Sequence, residues 1–253
     1  MKNHFIMPYA GNKRIEIEII YDKIKDKLQK TKTIIEPFCG SCAMSYYISL
    51  KHPKQFKYII NDNNNFLIEL LNIMKDENKY NKFKDEINET LLKIVDKESY
   101  IENTNKETLN GWFIGNKYYA IRPFLYRING KMIPLKDYYP IFDFLRNEDV
   151  EILNTDGCDV YNTYKNEDKS LILLDPPYMM TDNRWYAIPS FKIYEILEDE
   201  NIKQIKSTII FIVNNNFIMR ILFKKWFIFE YDTLYQTTKK KTSHLIITNK
   251  KII

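Results

Sequence analysis

No apolar run in this 253-residue chain approaches the roughly 20 residues that a membrane-spanning helix needs. The opening MKNHFIMPYAGNKR lacks the charged-then-apolar order of a signal peptide, so the expectation is a protein inside the cell, in the cytoplasm, nucleoid or a viral factory. Cysteine is scarce: Cys39, Cys42 and Cys158 are too few for a disulfide framework. The Cys39–Cys42 spacing has no second pair to complete a zinc site, so reduced thiols and no metal are expected. Arginine is scarce too, occurring only at Arg14, Arg122, Arg127, Arg146, Arg184 and Arg220. There is no internal repeat.

What is present is a hydrophobic fraction of 45%, which excludes a disordered chain. The net charge of +5 and a pI near 8.8 suit a nucleic-acid partner. That signal is modest, because the chain is rich in Lys, Asn, Ile and Tyr throughout, a bias that an AT-rich genome also produces.

Ile17, Ile20, Tyr21, Ile24 and Leu28 recur at helical spacing. A strand of Thr33, Ile34 and Ile35 then runs into EPFCGSC, and a helix follows from about Ala43 to Leu50. The pulse Tyr58 to Ile60 ends at Asn61 and Asp62 before a second helical pattern through Phe66, Leu67, Leu70, Leu71 and Met74. Strand, loop, helix, strand, acid, helix is the order of a parallel α/β sheet. From Lys75 to Asp149 the rhythm breaks into a lysine- and glutamate-rich helical stretch, Lys75 to Lys106, expected as a solvated amphipathic pair. NGWFIGNKYYAIRPFLYRINGKMIPLKDYYP comes after it, dense in aromatics. This segment, 75–149, reads as an insertion between 1–74 and 150–253. Strand signals resume at Val150 to Leu153, Leu171 to Leu174, Thr208 to Val213, Phe227 to Phe229 and Leu245 to Ile247.

In open α/β sheets ligands lie beyond the carboxyl ends of the strands. Three such ends carry unusual residues. Gly40 in EPFCGSC either makes a plain turn or lets the backbone approach a ligand before a helix N-terminus with free amides. Asp62 either grips ribose hydroxyls or caps the next helix. In LILLDPPYMM, Asp175 follows four aliphatics and would be poorly solvated in a core, so it belongs at a rim with something polar to bind. Pro176 and Pro177 stiffen the turn and leave carbonyl acceptors. Tyr178 adds a flat ring on which a base could stack.

Asp-Pro-Pro-Tyr closing a strand, Pro-Phe-x-Gly upstream and Gly-x-Lys near the start resemble the DNA adenine methylase family, and the motif order matches its α-type arrangement. The similarity spans nearly the whole chain, through SHLIITN at residues 243 to 249. Asn12 and Cys42 stand where the family has glycine. Asn tolerates positive φ, and Cys42 brings a Cβ to where backbone approaches the cofactor.

The resemblance implies a Rossmann-like S-adenosylmethionine-dependent methyltransferase sheet, with the catalytic domain in 1–74 and 150–253. The insertion becomes a small, mainly helical target-recognition subdomain. It also implies a cofactor site of Tyr9, Lys13, Glu36, Phe38, Gly40, Asp62, Asp156 and Asp175, and catalysis by Asp175, Pro176, Pro177 and Tyr178. Arg122, Tyr126, Arg127, Asn129 and Lys131 would contact double-stranded DNA, although aromatics in this region equally suit the packed interior of a subdomain. The implied reaction is site-specific N6-methylation of a flipped-out adenine by a monomer without metal. An RNA substrate, or a nucleic-acid-binding homologue without catalysis, stands as the alternative.

Overall fold

A computed structural model of the chain describes residues 4–8, 13–104, 107–119, 134–178, 192–234 and 241–252. Seven strands form one sheet: β1 (Thr33–Glu36), β2 (Lys57–Asn61), β3 (Asp149–Leu153), β4 (Ser170–Leu174), β5 (Thr208–Asn214), β6 (Phe227–Leu234) and β7 (Lys241–Thr248). Their spatial order is β3-β2-β1-β4-β5-β7-β6. β1 lies parallel to both β2 and β4, with Ile35 opposite Ile59 on one side and Ile172 on the other. The strand order therefore reverses between β1 and β4, the switch point at which doubly wound sheets hold ligands.

The sheet is mixed: its first five strands are parallel, as the strand–helix order predicts. β7 runs antiparallel to both neighbours, β5 and β6. Leu234 pairs with Lys241, so the chain between them is far too short for the crossover that a parallel partner requires.

Alternation along the strands makes two apolar layers. Ile34, Tyr58, Ile60, Leu171, Leu173, Ile210, Ile212 and Ile246 face one way, toward α1 (Ile17–Leu28), α2 (Ala43–Lys51) and α3 (Asn65–Lys75). Ile35, Ile59, Ile172, Leu174, Ile209, Phe211 and Val213 face the other, where later helices cover them. A sheet covered on both faces explains why β4 reads as an unbroken aliphatic run and carries no polar alternation.

The described part of 75–149 is helical: α4 (Glu77–Lys93), α5 (Lys97–Asn103), α6 (Leu109–Tyr119) and α7 (Ile141–Asn147). Its apolar face is not solvated. Tyr80, Phe83, Ile87 and Leu91 of α4 are buried and share one core with α3 and the sheet. Edge-to-face pairs tie it together, Phe83 on Phe113 at 5.2 Å and Tyr58 of β2 on Phe144 at 5.0 Å. Three further helices follow among the described residues: α8 (Gly157–Tyr164), α9 (Lys192–Asp199) and α10 (Phe217–Leu222).

Candidate active site

Among the described residues, Gly40, Asp62, Asp156 and Asp175 lie beyond the carboxyl ends of β1, β2, β3 and β4, on one edge of the sheet. After β1, Pro37 stops the strand, and the chain turns through Gly40 at φ 48° and Cys42 at φ 56° into α2. A side chain in that left-handed region costs about 1–2 kcal/mol, and here Cys42 bears it where a glycine would not. The turn is held from β2. Asp62 Oδ2 accepts the Gly40 N–H at 3.1 Å, and Asp62 Oδ1 accepts the Asn64 N–H at 3.0 Å. The cap of α3 is Asn64, whose side chain accepts from Leu67 N–H, so the capping role weighed for Asp62 falls two residues later. Burial raises the Asp62 carboxyl above its ordinary value, against the pull of the backbone amides of Asn64, Gly40 and Asn63.

Asn61, wholly buried, fastens three loops together. Its amide nitrogen donates to the carbonyls of Pro37 and Thr155, its side-chain oxygen accepts from Thr155 N–H, and its backbone carbonyl accepts from Cys39 N–H. Beside it Gly157 packs against Phe38 so closely that a Cβ there would lie 2.5 Å from the ring. Asp156 is exposed and caps α8 by accepting from Cys158 N–H at 2.7 Å.

At the end of β4, Asp175 Oδ2 lies 2.8 Å from the Lys13 ammonium. Lys13 belongs to the 3-10 turn Lys13–Ile15 that precedes α1, so this pair joins the first motif of the chain to the Asp-Pro-Pro-Tyr turn. The same ammonium stands 5.0 Å from the centre of the Tyr178 ring. Burial disfavours the Lys13 charge, but Asp175 and then Glu16 outweigh it and lift the amine above its ordinary value. Burial pushes the Asp175 carboxyl up; Lys13 pulls it back only in part. The Pro177 carbonyl accepts the Tyr194 hydroxyl at 3.2 Å, while no described residue donates to the Pro176 carbonyl.

Behind Lys13 lies a buried polar group that sequence reading missed. Glu16 Oε2 accepts from the Tyr231 hydroxyl at 2.7 Å and from His244 Nδ1 at 2.6 Å. The His244 ring meets Tyr178 edge-on, with centroids 5.7 Å apart. Asn214, ending β5, has a buried side-chain oxygen with no hydrogen-bond partner among the described residues. A lone histidine opening an apolar strand and an acid one turn after the Gly-x-Lys motif were the available signals, but nothing in a one-dimensional pattern pairs residues 228 positions apart.

Of the residues singled out from sequence, Lys13 contacts both Asp175 and Tyr178, Asp62 contacts Gly40, and Phe38 packs on Gly157. Pro176 and Pro177 form the turn between Asp175 and Tyr178. Tyr9, Arg122, Tyr126, Arg127, Asn129 and Lys131 lie outside the described residues. Among the described residues, no cluster of three His, Cys, Asp or Glu could hold a metal, and no helix is long and apolar enough to cross a membrane.

Glu36 points inward. It accepts the Ser45 N–H at 3.3 Å and the Ser45 hydroxyl at 2.5 Å. Burial, opposed by those two bonds, pushes its carboxyl from 4.5 up to about 8. The folded state thus holds this proton more tightly than the unfolded chain. The associated stability is fully present below pH 4.5 and disappears as pH rises through about 8. Glu36→Gln, which mimics the protonated acid, is expected to gain on the wild type in Tm between about pH 5 and about pH 9. Parallel thermal melts across that range check it, and a constant difference would show that Glu36 is ionised in the fold.

Comparison with known proteins fits this arrangement. Residues 9–130 match the family model of the D12 class N6 adenine-specific DNA methyltransferase, which supports the DNA adenine methylase family. A Haemophilus influenzae protein named "Putative methyltransferase" is 26% identical over 201 residues, covering 71% of this chain and 66% of the relative. The chain thus spans just under two thirds of that relative's length.

Proposed function

We propose, taking the DNA adenine methylase family as the premise, that this chain methylates the N6 amine of adenine in duplex DNA using S-adenosylmethionine. The observation that carries the reading is the Lys13–Asp175 pair at the β1/β4 switch point, which brings the two ends of the motif series to one place. The groups nearby suit a nucleoside-bearing cofactor: a glycine turn before a helix N-terminus, an accepting carboxylate beyond β2, and an apolar ring at Phe38. Gly40, Asp62, Phe38 and Asp156 would hold it, with Tyr9 and Glu36 as further members of that set. When bound, S-adenosylmethionine supplies a sulfonium methyl, whose C–S bond breaks as the amine lone pair forms the N–C bond.

The protein's share is positioning. An adenine amine is a weak nucleophile because its lone pair is delocalised into the ring. Asp175 and the Pro176 carbonyl accept its two hydrogens, so that the nitrogen pyramidalises and its lone pair turns outward. Asp175 is the proton's first acceptor as the amine is alkylated. The target base must leave the duplex at a cost of a few kcal/mol. Stacking on Tyr178 offsets part of this, being worth roughly 1–3 kcal/mol. Tyr178 is only 9% exposed and has Lys13 beside its ring, so a base reaches it only after one of the two side chains shifts. Arg122, Tyr126, Arg127, Asn129 and Lys131 supply the DNA contacts in this reading.

Incubating the purified chain with methyl-labelled S-adenosylmethionine and unmethylated genomic DNA should place label in N6-methyladenine. Parallel RNA should stay unlabelled. Label in RNA alone selects the RNA enzyme, and no label with no cofactor binding selects an inactive nucleic-acid-binding homologue.

A further inference from the structure

We infer that Asn214 is a further residue of the target-base site: its side-chain amide pairs with the adenine amine and with a ring nitrogen beside it. This role presupposes that the Asp175 turn seats the target base. Asn214 Oδ1 is shut off from solvent, yet it accepts no hydrogen bond among the described residues. A buried acceptor left unpaired is costly, and native chains rarely keep one without a use. The two asparagines that follow are both employed in the fold. Asn215 donates to Glu230 at 2.7 Å and to Ser243 at 2.9 Å, and Asn216 caps α10 by accepting from Met219 N–H.

The strand register places the idle oxygen. Leu174 of β4 lies opposite Phe211 of β5, and β5 runs on to Asn214, alongside the Asp-Pro-Pro turn. Leu171, Leu173, Ile210 and Ile212 share one apolar layer, and strand alternation carries Asp175 and Asn214 to that same face. Asn214 is paired in turn with His244 of β7, whose ring meets Tyr178 edge-on at 5.7 Å. The amide therefore stands beside the Asp-Pro-Pro-Tyr turn, on the side of β4 away from β1 and its glycine bend. With the cofactor assigned to the ends of β1 and β2, that side is left to the target.

An unpaired acceptor needs a donor, and an adenine base offers one only at its amine. Asparagine matches adenine with two bonds: the oxygen accepts an amine hydrogen while the NH2 donates to the adjoining ring nitrogen. Here Asp175 takes one amine hydrogen, and Asn214 Oδ1 joins the Pro176 carbonyl on the other. Asn214 Nδ2 then donates to N7 or N1, the ring nitrogens on either side of the amine. Guanine and thymine carry an oxygen where adenine carries the amine, so the same arrangement turns them away.

Asn214→Ala in the full chain tests this. Because the oxygen has no partner in the fold, the variant's Tm should stay at the wild-type value or rise. On a duplex that the wild type methylates, kcat/KM should fall about thirtyfold, with cofactor Kd within about twofold of wild type. The duplex is then remade with 7-deazaadenine or 1-deazaadenine at the target, each lacking one of the two ring nitrogens. For one of these bases, the loss seen with wild type should shrink to less than about twofold in Asn214→Ala. Any change in the amine's own reactivity is common to both enzymes and cancels.

Losses that multiply independently for both analogues, with wild-type transfer to adenine intact, overturn this role alone. So does a Tm lower by more than about 5 °C, which would make Asn214 a structural group. A cofactor Kd raised about tenfold also overturns it, giving the oxygen to the cofactor's ammonium instead. A wild type that transfers no methyl to adenine takes down the functional reading, and this role with it.

Discussion

Asp175→Asn is expected to lower the rate of methyl transfer by about a thousandfold or more, on the order of 4 kcal/mol of transition-state stabilisation. Asparagine has nearly the shape of aspartate, but it cannot take a proton and presents one acceptor oxygen instead of two. The alanine variant is a poorer test. It removes the acceptor 2.8 Å from a lysine that is itself nearly buried, and breaking a buried pair on one side costs about 3–5 kcal/mol of stability. Loss of activity in that variant would confound chemistry with folding. Pairing Asp175→Asn with Lys13→Met separates the two. The double variant should recover most of any stability lost by the single one and none of the activity. Because burial raises the Asp175 carboxyl, the wild-type rate should also fall away on the acid side at a higher pH than an ordinary carboxylate would give. Transfer by Asp175→Asn at the wild-type rate would remove the proposed chemistry.

The strands were legible because a buried parallel sheet leaves little choice. TIIE, YIIN and LILL must be apolar on both faces, and each ends in residues that cannot continue it. The strand ends were legible for the same reason, since Asp175 and Asp62 contradict the aliphatic runs before them. Strand direction was not. SHLIITN reads the same whichever way it enters a sheet, and only the short link after Leu234 decides that β7 runs backwards. Nor could the helix caps be told apart, because Asn61, Asp62, Asn63 and Asn64 offer four similar side chains. The fold gives the loop staple to Asn61, the glycine clasp to Asp62 and the cap to Asn64. The Glu16, Tyr231 and His244 group was invisible for a different cause. Its members are joined only when the last hairpin closes over the first helix, so no local pattern reports them.

The clasp makes the second large prediction. Asp62→Asn is expected to weaken S-adenosylmethionine binding by about a hundredfold, roughly 3 kcal/mol, nearly as much as Asp62→Ala. The substitution looks conservative but is not. Gly40 N–H and Asn64 N–H approach different oxygens of the carboxylate, so an amide can satisfy one of them only by turning its own NH2 toward the other. Leaving a buried donor unmet costs about 1–3 kcal/mol, and it does so at the turn where Gly40 already needs a left-handed backbone. The acceptor proposed for the ribose hydroxyls is lost in the same step. Asp156, also assigned to the cofactor site, gives a comparison in which the backbone is not disturbed. Its cap on α8 uses one oxygen of an exposed side chain, and asparagine caps a helix about as well as aspartate, so α8 should be unharmed in Asp156→Asn. Calorimetric titration of cofactor into the three variants, with DNA affinity measured in its absence, checks the order. DNA binding should hold in Asp62→Asn while cofactor binding collapses. Wild-type cofactor affinity in that variant would mean that the Gly40 turn does not carry the cofactor, and the site would have to be sought elsewhere on the sheet edge.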